Sequence, residues 1–173
     1  MAAALLSAAG AARNVPMNVS SAGFLFEGHP ASDAATKVMR ERDLDLSAHR
    51  SRVLNVELVG NADLVLTMER RHARDLLLQH GADQKNVHTL KGFASSVTAL
   101  VASGDAEVDD LRVIVGAVNE QRDDRALLGD GRPDEVADPH GRSLRIHRRT
   151  ADEIAAAVDA IVAALAHVRS RGQ

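Results

Sequence analysis

The chain has 173 residues, of which 45% are hydrophobic and 26% are charged, a composition typical of one soluble globular domain. The formal net charge is only -3 and the basic residues form no cluster, which argues against a nucleic-acid-binding protein. Cysteine is absent, so these residues contain no disulfide, thiolate metal site or cysteine nucleophile. No apolar run is long enough to cross a membrane, so we expect no membrane partner.

The predicted elements of the first part of the chain are a helix, a strand and a second helix. Alanine and leucine predict a helix over Ala2–Ala12. Residues 15–21 are predicted as a strand that ends in a small-residue turn. Pro30 and Ser32 begin a helix that ends near Arg42.

The middle of the chain predicts a buried strand, a helix and a second strand. Residues 63–68 form a continuous apolar run, as expected of a strand covered on both faces of a parallel sheet. A helix is predicted over residues 69–80, ended by Gly81. Residues 87–90 are predicted as a further strand.

The last part of the chain predicts two helices separated by a long loop. The first helix covers residues 111–128, and the loop covers residues 129–141. Thr150 is predicted to cap the final helix, with Glu153 completing a capping box. Strands that alternate with helices predict one three-layer α/β/α domain with a small parallel sheet.

Three ordered segments of the sequence carry a family likeness. The segments are residues 20–23 with 28–31, residues 45–52 with 62–68, and residues 138–143. Together they resemble the body of a low-molecular-weight protein tyrosine phosphatase over residues 1–173, nearly the whole chain. Residues 93–134 are longer than the usual connection in that family, which predicts a helical insertion there.

The resemblance also implies a motif that these residues do not contain. In that family a phosphate loop, Cys-x5-Arg-Ser, lies between the first strand and a helix whose start resembles Met1–Leu6. We therefore expect the reading frame to begin upstream of Met1. As given, the chain is expected to lack the first, central strand and the nucleophile. It should not hydrolyse phosphotyrosine by that mechanism.

The resemblance assigns roles to five residues. Asp138 matches the general acid that protonates the tyrosyl leaving group and later activates water. His140 and Phe26 match positions that contact the substrate ring. Ser21 and His49 match positions that brace the phosphate loop through hydrogen bonds.

The remaining charged residues are expected to be ordinary surface groups. Among the eight histidines no spacing suggests a metal site, and His72, His80 and His88 are predicted to be solvated. Arg70 and Arg71 are predicted to be exposed helix charges. We expect no cofactor and no metal.

Three functions remain open at this stage. The first is a phosphatase of phosphotyrosine proteins or small aryl phosphates, acting through a cysteinyl-phosphate in the complete protein. The second is a cysteine-less pseudophosphatase that acts as a binding module. The third is an arsenate reductase on the same fold. We expect a cytoplasmic protein that does not bind nucleic acid, and the sequence does not fix its oligomeric state.

Overall fold

The computed structural model describes residues 1–104, 110–123, 127–128 and 133–171, without the side chains of residues 168–171. In this part of the chain a set of helices alternates with two short strands. The elements are α1 Ala2–Ala12, α2 Asp33–Arg40, α3 Val56–Gly60, β1 Val65–Thr67, α4 Arg70–Gln79, a 3-10 turn Gln84–Asn86, β2 Val87–Thr89, α5 Leu90–Ser103, α6 Leu111–Glu120 and α7 Leu144–Arg171.

The two strands form a parallel pair. Val65 lies opposite Val87, and Thr67 lies opposite Thr89. Both predicted strands are confirmed, although each is shorter than its apolar run. The carboxyl ends of the two strands therefore lie side by side, at the edge where open α/β sheets bind their ligands.

Each face of this sheet is covered by helices. Leu64, Leu66 and Met68 pack against a core that includes residues of α5, α6 and α7. Val65 and Val87 pack on the opposite face, against residues of α3 and α4. Because side chains alternate along a strand, the two cores lie on opposite faces. The predicted α/β fold with a small parallel sheet is confirmed.

Helix α7 provides the predicted apolar stripe of the larger core. Its buried residues on this stripe are Ile154, Val158, Ile161, Val162 and Leu165. They pack with α1, which matches its predicted bounds, and with Phe93 of α5. Phe93 is fully buried and is the largest side chain in the core.

Local signals explain where α2 begins and where α4 ends. The Ser32 hydroxyl accepts a hydrogen bond from the Ala35 backbone N–H at 3.3 Å, as predicted for the start of α2. Helix α4 ends before Gly81, whose φ of 64° lies in the left-handed region that glycine adopts most readily. Both helices confirm the sequence predictions.

The predicted strand over residues 15–21 is wrong. Burial alternates from Val15 to Met17 and Val19, as in a strand, but a strand also requires a neighbour that supplies backbone hydrogen bonds. In the part of the chain that the structure describes, no strand pairs with this segment. The strand-like pairing that follows it in the chain is an isolated β-bridge between Gly23 and Val53.

The predicted cap of the final helix is also wrong. Helix α7 begins at Leu144, so Thr150 lies inside it and is buried. The buried stripe of the helix extends back through Ala151 and Thr150 to His147. Glu153 accepts a hydrogen bond from the Arg149 side chain in an i, i+4 pair.

The region around residues 93–134 contains more helix than predicted at its start and less at its end. Helix α5 was not predicted, and α6 ends at Glu120 rather than at residue 128. Helix α3, which precedes this region, was not predicted either. Residues 124–126 of the predicted helix and 129–132 of the predicted loop lie outside the described residues. The single domain and its helical insertion stay predictions.

None of the helices in the described ranges is both long and apolar enough to cross a membrane.

Candidate active site

Asp138 lies in a turn that leads into α7. Its carboxylate accepts a hydrogen bond from the His140 backbone N–H at 2.9 Å. The Pro139 carbonyl accepts one from the Arg142 backbone N–H at 2.9 Å, and Gly141 has a φ of 70°. Asp138 and His140 are both exposed. Among the described residues no cation pairs with the Asp138 carboxylate.

The segment before Asp138 is anchored to the sheet. Val136 is 1% exposed and belongs to the larger core. Its backbone N–H donates to the Met68 carbonyl at 2.8 Å, directly after β1. The Asp138 turn therefore begins at the carboxyl end of a strand, where ligand sites of α/β folds lie.

The Asp134 side chain connects this segment to Arg70, which follows β1, and to Thr89, the last residue of β2. Its carboxylate accepts hydrogen bonds from Nη2 of Arg70 at 2.9 Å and from Nε at 3.2 Å. It also accepts one from the Thr89 hydroxyl at 2.8 Å. Burial by itself raises the pKa of Asp134, but the hydrogen bonds from Arg70 and Thr89 outweigh it and lower this pKa. Asp134 is thus ionised at neutral pH.

Glu135 supplies the cap that α4 lacks. Glu69, at the N-cap position, makes no side-chain cap bond. Instead a Glu135 side-chain oxygen accepts from the Arg70 backbone N–H at 2.8 Å. A carboxylate at a helix N-terminus interacts favourably with the helix dipole. The segment before Asp138 and the start of α4 therefore hold each other in place.

Ser21 lies in the loop between α1 and α2, and His49 lies in the loop between α2 and α3. The Ser21 carbonyl is 3.5 Å from an Arg52 guanidinium nitrogen, and Ser21 is exposed. The His49 backbone N–H donates to the Leu46 carbonyl at 3.0 Å, and the His49 carbonyl accepts from Arg50 at 2.7 Å. Their side chains hold no hydrogen bond in the described part of the chain.

Phe26 lies near the tip of an exposed loop. Its side chain is 60% exposed, and its ring centroid is 5.3 Å from that of His29. Phe24, two residues earlier, stacks on His72 of α4 with a centroid separation of 5.3 Å and an interplanar angle of 28°. The loop is also fastened by backbone hydrogen bonds such as that from Gly28 to the Ser51 carbonyl at 2.8 Å.

The structure brings only Asp138 and His140 together among the five predicted site residues. Within the described ranges, no hydrogen bond or ring contact joins either of them to Ser21, His49 or Phe26. No group of three potential metal-binding side chains is found in these ranges.

Two predictions about exposed charge are wrong. Arg70 has a side-chain exposure of 14% and binds Asp134, whereas Arg71 is exposed as predicted. His88 is 4% exposed, since its ring lies against Phe93 with centroids 5.1 Å apart. Burial, together with the Arg122 charge, lowers the pKa of His88 to about 4.

The comparison with protein families supplies the deciding observation. The model of the low molecular weight phosphotyrosine protein phosphatase family matches residues 1–110 of this chain. The chain belongs to that family. Because the match covers most of the sequence, the family assignment made from the ordered segments is confirmed.

Individual relatives support the same assignment. The chain is 35% identical over 75 residues to the "Probable low molecular weight protein-tyrosine-phosphatase EpsP" of Ralstonia nicotianae, which is 43% of this chain and 52% of that protein. This chain thus spans about half the length of that relative. It is 28% identical over 155 residues to the protein-arginine-phosphatase of Bacillus subtilis, which is 89% of this chain and 79% of that protein.

A solved structure extends the likeness to three dimensions. The low molecular weight protein tyrosine phosphatase from T. tengcongensis matches with a TM-score of 0.69 and 26% identity. The match covers 94% of this chain and 87% of that one. Members of this phosphatase family therefore share the fold described here.

The residues that hold the Asp138 turn are not evident from the sequence. Asp134 lies four residues before Asp138. Its partners Arg70 and Thr89 lie 64 and 45 positions before Asp134 along the chain. One signal was available: two acidic residues directly before the buried Val136, in a segment otherwise expected to be loop. A pair of charges beside a core residue indicates nearby partners.

Proposed function

We propose that this chain forms the part of a phosphomonoester hydrolase that carries the general acid, Asp138. The observation behind this proposal is the exposed Asp138 carboxylate, held on an anchored segment beside the carboxyl ends of β1 and β2. The sequence contains no cysteine, so the 173 residues cannot form a cysteinyl-phosphate. We expect them to show no phosphatase turnover by themselves.

In the complete enzyme the reaction takes two steps. A thiolate from a Cys-x5-Arg-Ser loop attacks phosphorus, and the bond from phosphorus to the aryl oxygen breaks. The Asp138 carboxyl gives its proton to that oxygen as the alcohol leaves. The Asp138 carboxylate then takes a proton from water as water attacks phosphorus, which releases phosphate and restores the thiolate.

The substrate is a phosphorylated side chain of a protein or a small aryl phosphate. Phe26 and His140 would contact the group that carries the phosphate, and Ser21 and His49 would brace the phosphate loop. Relatives are named for phosphotyrosine and for phosphoarginine. Assays should therefore include a phosphotyrosine peptide and a phosphoarginine peptide. A cytoplasmic location stays a prediction.

A second function is supported by the absence of cysteine. A chain without the nucleophile can still retain a binding surface, in which case it acts as a phosphoprotein-binding module. This alternative expects binding of a phosphopeptide by the 173-residue chain without release of phosphate. Titration of the purified chain with both phosphopeptides tests it directly.

The decisive experiment uses the protein made by its own cells. A tag at the carboxyl terminus of the native gene product allows purification, and mass spectrometry then defines the amino terminus. If the native chain includes upstream residues with a cysteine and an arginine, we expect it to release phosphate. Asp138→Asn should then lower kcat/KM by about 10²–10⁴-fold.

Asp159→Asn is the matched control, because Asp159 is an exposed carboxylate on α7 that pairs with Arg13. It should leave kcat/KM unchanged. A native chain that begins at Met1 and releases no phosphate would overturn the phosphatase proposal. In that case phosphopeptide binding would identify the second function.

A further inference from the structure

A half-buried polar cluster holds the segment that leads into the Asp138 turn. Its members are Arg70 at the start of α4, Thr89 at the end of β2, and Asp134. The side chains of Arg70 and Asp134 are 14% and 22% exposed. The cluster therefore lies between the strand ends and the segment that leads to Asp138.

The contacts within this cluster are directional. Nε and Nη2 of Arg70 both donate to the Asp134 carboxylate, at 3.2 and 2.9 Å. The Thr89 hydroxyl donates to the second Asp134 oxygen at 2.8 Å. Two guanidinium donors on one carboxylate fix orientation as well as distance. A single lysine charge would not fix the geometry in the same way.

The same arginine holds two further points of the chain. Its Nη1 donates to the Leu128 carbonyl at 2.6 Å, and its backbone N–H donates to the Glu135 side chain at 2.8 Å. Val136 completes the attachment through its bond to Met68. Three consecutive residues before Ala137 and Asp138 are thus attached to the ends of β1 and β2 or the start of α4.

We propose that Arg70 and Asp134 are positioning residues that set the location of the Asp138 carboxylate. This inference rests on the proposed role of Asp138. Asp138 is exposed, and within the described ranges its carboxylate is held only by the local bond from the His140 backbone N–H. Its position must therefore be determined by the attached segment before it and by the start of α7 after it.

This role differs from general support of the fold. A pair that only adds stability would change the free energy of unfolding and leave the Asp138 turn as it is in the native state. A positioning pair changes the motion and geometry of residues 134–140 while the core stays intact. Amide hydrogen exchange separates the two because it reports local opening residue by residue.

The experiment uses the 173-residue chain and NMR. Asp134→Asn keeps the shape of the side chain but removes its charge. We expect amide exchange at Val136 to increase at least about tenfold, because opening of the segment becomes easier. Exchange at Val97 and Ile161 in the core should not change.

The His140 amide gives a second signal. Its proton is bonded to the Asp138 carboxylate, so its chemical shift reports whether that hydrogen bond is kept. In Asp134→Asn we expect this amide resonance to move upfield, because the turn is no longer held in one geometry and the hydrogen bond is weakened. Asp134→Glu, which keeps the charge, should restore part of both signals.

Asp63→Asn is the matched control, since it breaks another Asp–Arg pair, the one from Asp63 to Arg112. It should leave Val136 and His140 unchanged. The proposal is overturned if Asp134→Asn leaves both amides as in the parent. It is also overturned if amide exchange becomes faster by a similar factor throughout the core in both Asp134→Asn and Arg70→Lys. The pair would then support the whole fold.

The two proposals fail in different ways. If Asp138→Asn does not slow hydrolysis by the native enzyme, Asp138 is not the acid, yet the exchange results still measure the anchoring. If Asp134→Asn changes neither the Val136 nor the His140 amide, Arg70 and Asp134 do not position the turn. The proposed role of Asp138 is then unaffected.

Discussion

The guanidinium of Arg122 lies 3.5 Å from Nδ1 of the buried His88 imidazole. The opposite nitrogen, Nε2, lies 3.2 Å from the Lys85 carbonyl. A carbonyl only accepts hydrogen bonds, so Nε2 carries the proton and Nδ1 presents a lone pair to Arg122. Protonation of Nδ1 would place two positive groups in contact.

Acid should therefore destabilise the protein through His88. Its pKa is about 4 in the folded chain, against an ordinary value of 6.5. Because the folded pKa is the lower one, stability is complete above pH 6.5 and is lost as pH falls towards 4. A difference of about 2.5 pKa units corresponds to roughly 3 kcal/mol. Urea unfolding at several pH values between 7.5 and 4 measures this loss.

The variant His88→Gln separates this contribution from that of other groups. It should be less stable than the parent at pH 7.5, and the difference should shrink steadily as the pH falls to 4. His29→Gln is the control, because His29 is exposed. An equal pH dependence in the parent and His88→Gln would contradict the prediction.

Two of the three phenylalanines should differ sharply in their effect on stability. Phe93 is fully buried, so Phe93→Ala should destabilise the fold by about 3–5 kcal/mol through lost contacts and a cavity. Phe26 is 60% exposed, and Phe26→Ala should stay within about 0.5 kcal/mol of the parent. Urea midpoints give both values. Similar losses for the two variants would show that the core is not built around Phe93.

The elements that the sequence predicted well have local causes. Helix α2 begins where the Ser32 hydroxyl binds a backbone N–H three residues on, and β1 lies within one apolar run. These signals involve neighbours in the chain, so one sequence reveals them. The family likeness likewise depended on short ordered segments.

The features that the sequence did not predict depend on distant partners. Residues 15–21 have the alternation of a strand, but strand formation depends on a neighbour that the pattern does not specify. His88 looked solvated because its burial depends on Phe93 and its low pKa on Arg122. The attachment of the Asp138 turn depends on contacts across 64 positions between Arg70 and Asp134.

Gly92 should be intolerant of a side chain, whereas Gly116 should accept one. A Cβ at Gly92 would lie 2.5 Å from Oγ1 of Thr89, the atom that caps α5 and binds Asp134. Gly92→Ala must displace this hydroxyl and should cost about 1–3 kcal/mol. Its effect should include faster amide exchange at Val136.

A Cβ at Gly116 meets nothing within 4 Å. Gly116→Ala should stabilise α6 by about 0.5–1 kcal/mol, because alanine loses less conformational entropy than glycine on folding. Thermal unfolding of the two variants compares them directly. A Gly92→Ala chain as stable as Gly116→Ala would show that Thr89 moves without loss.

The ion pair between Glu41 and Arg148 should determine the pKa of Glu41. Nε and Nη2 of Arg148 donate to the two Glu41 oxygens at 2.8 and 2.7 Å. These hydrogen bonds are the main cause that lowers the pKa of Glu41. In Arg148→Gln this pKa should therefore rise, as measured by carboxyl carbon NMR across a pH titration.

Asp45 provides an internal reference in the same titration. Its pKa is also lowered, but mainly by hydrogen bonds from the side chain and backbone of Ser47, two residues away. Arg148→Gln should leave the pKa of Asp45 where it was, and Ser47→Ala should raise it without affecting Glu41. If both carboxylates moved together in either variant, their pKa values would depend on a shared change in the fold rather than on these separate partners.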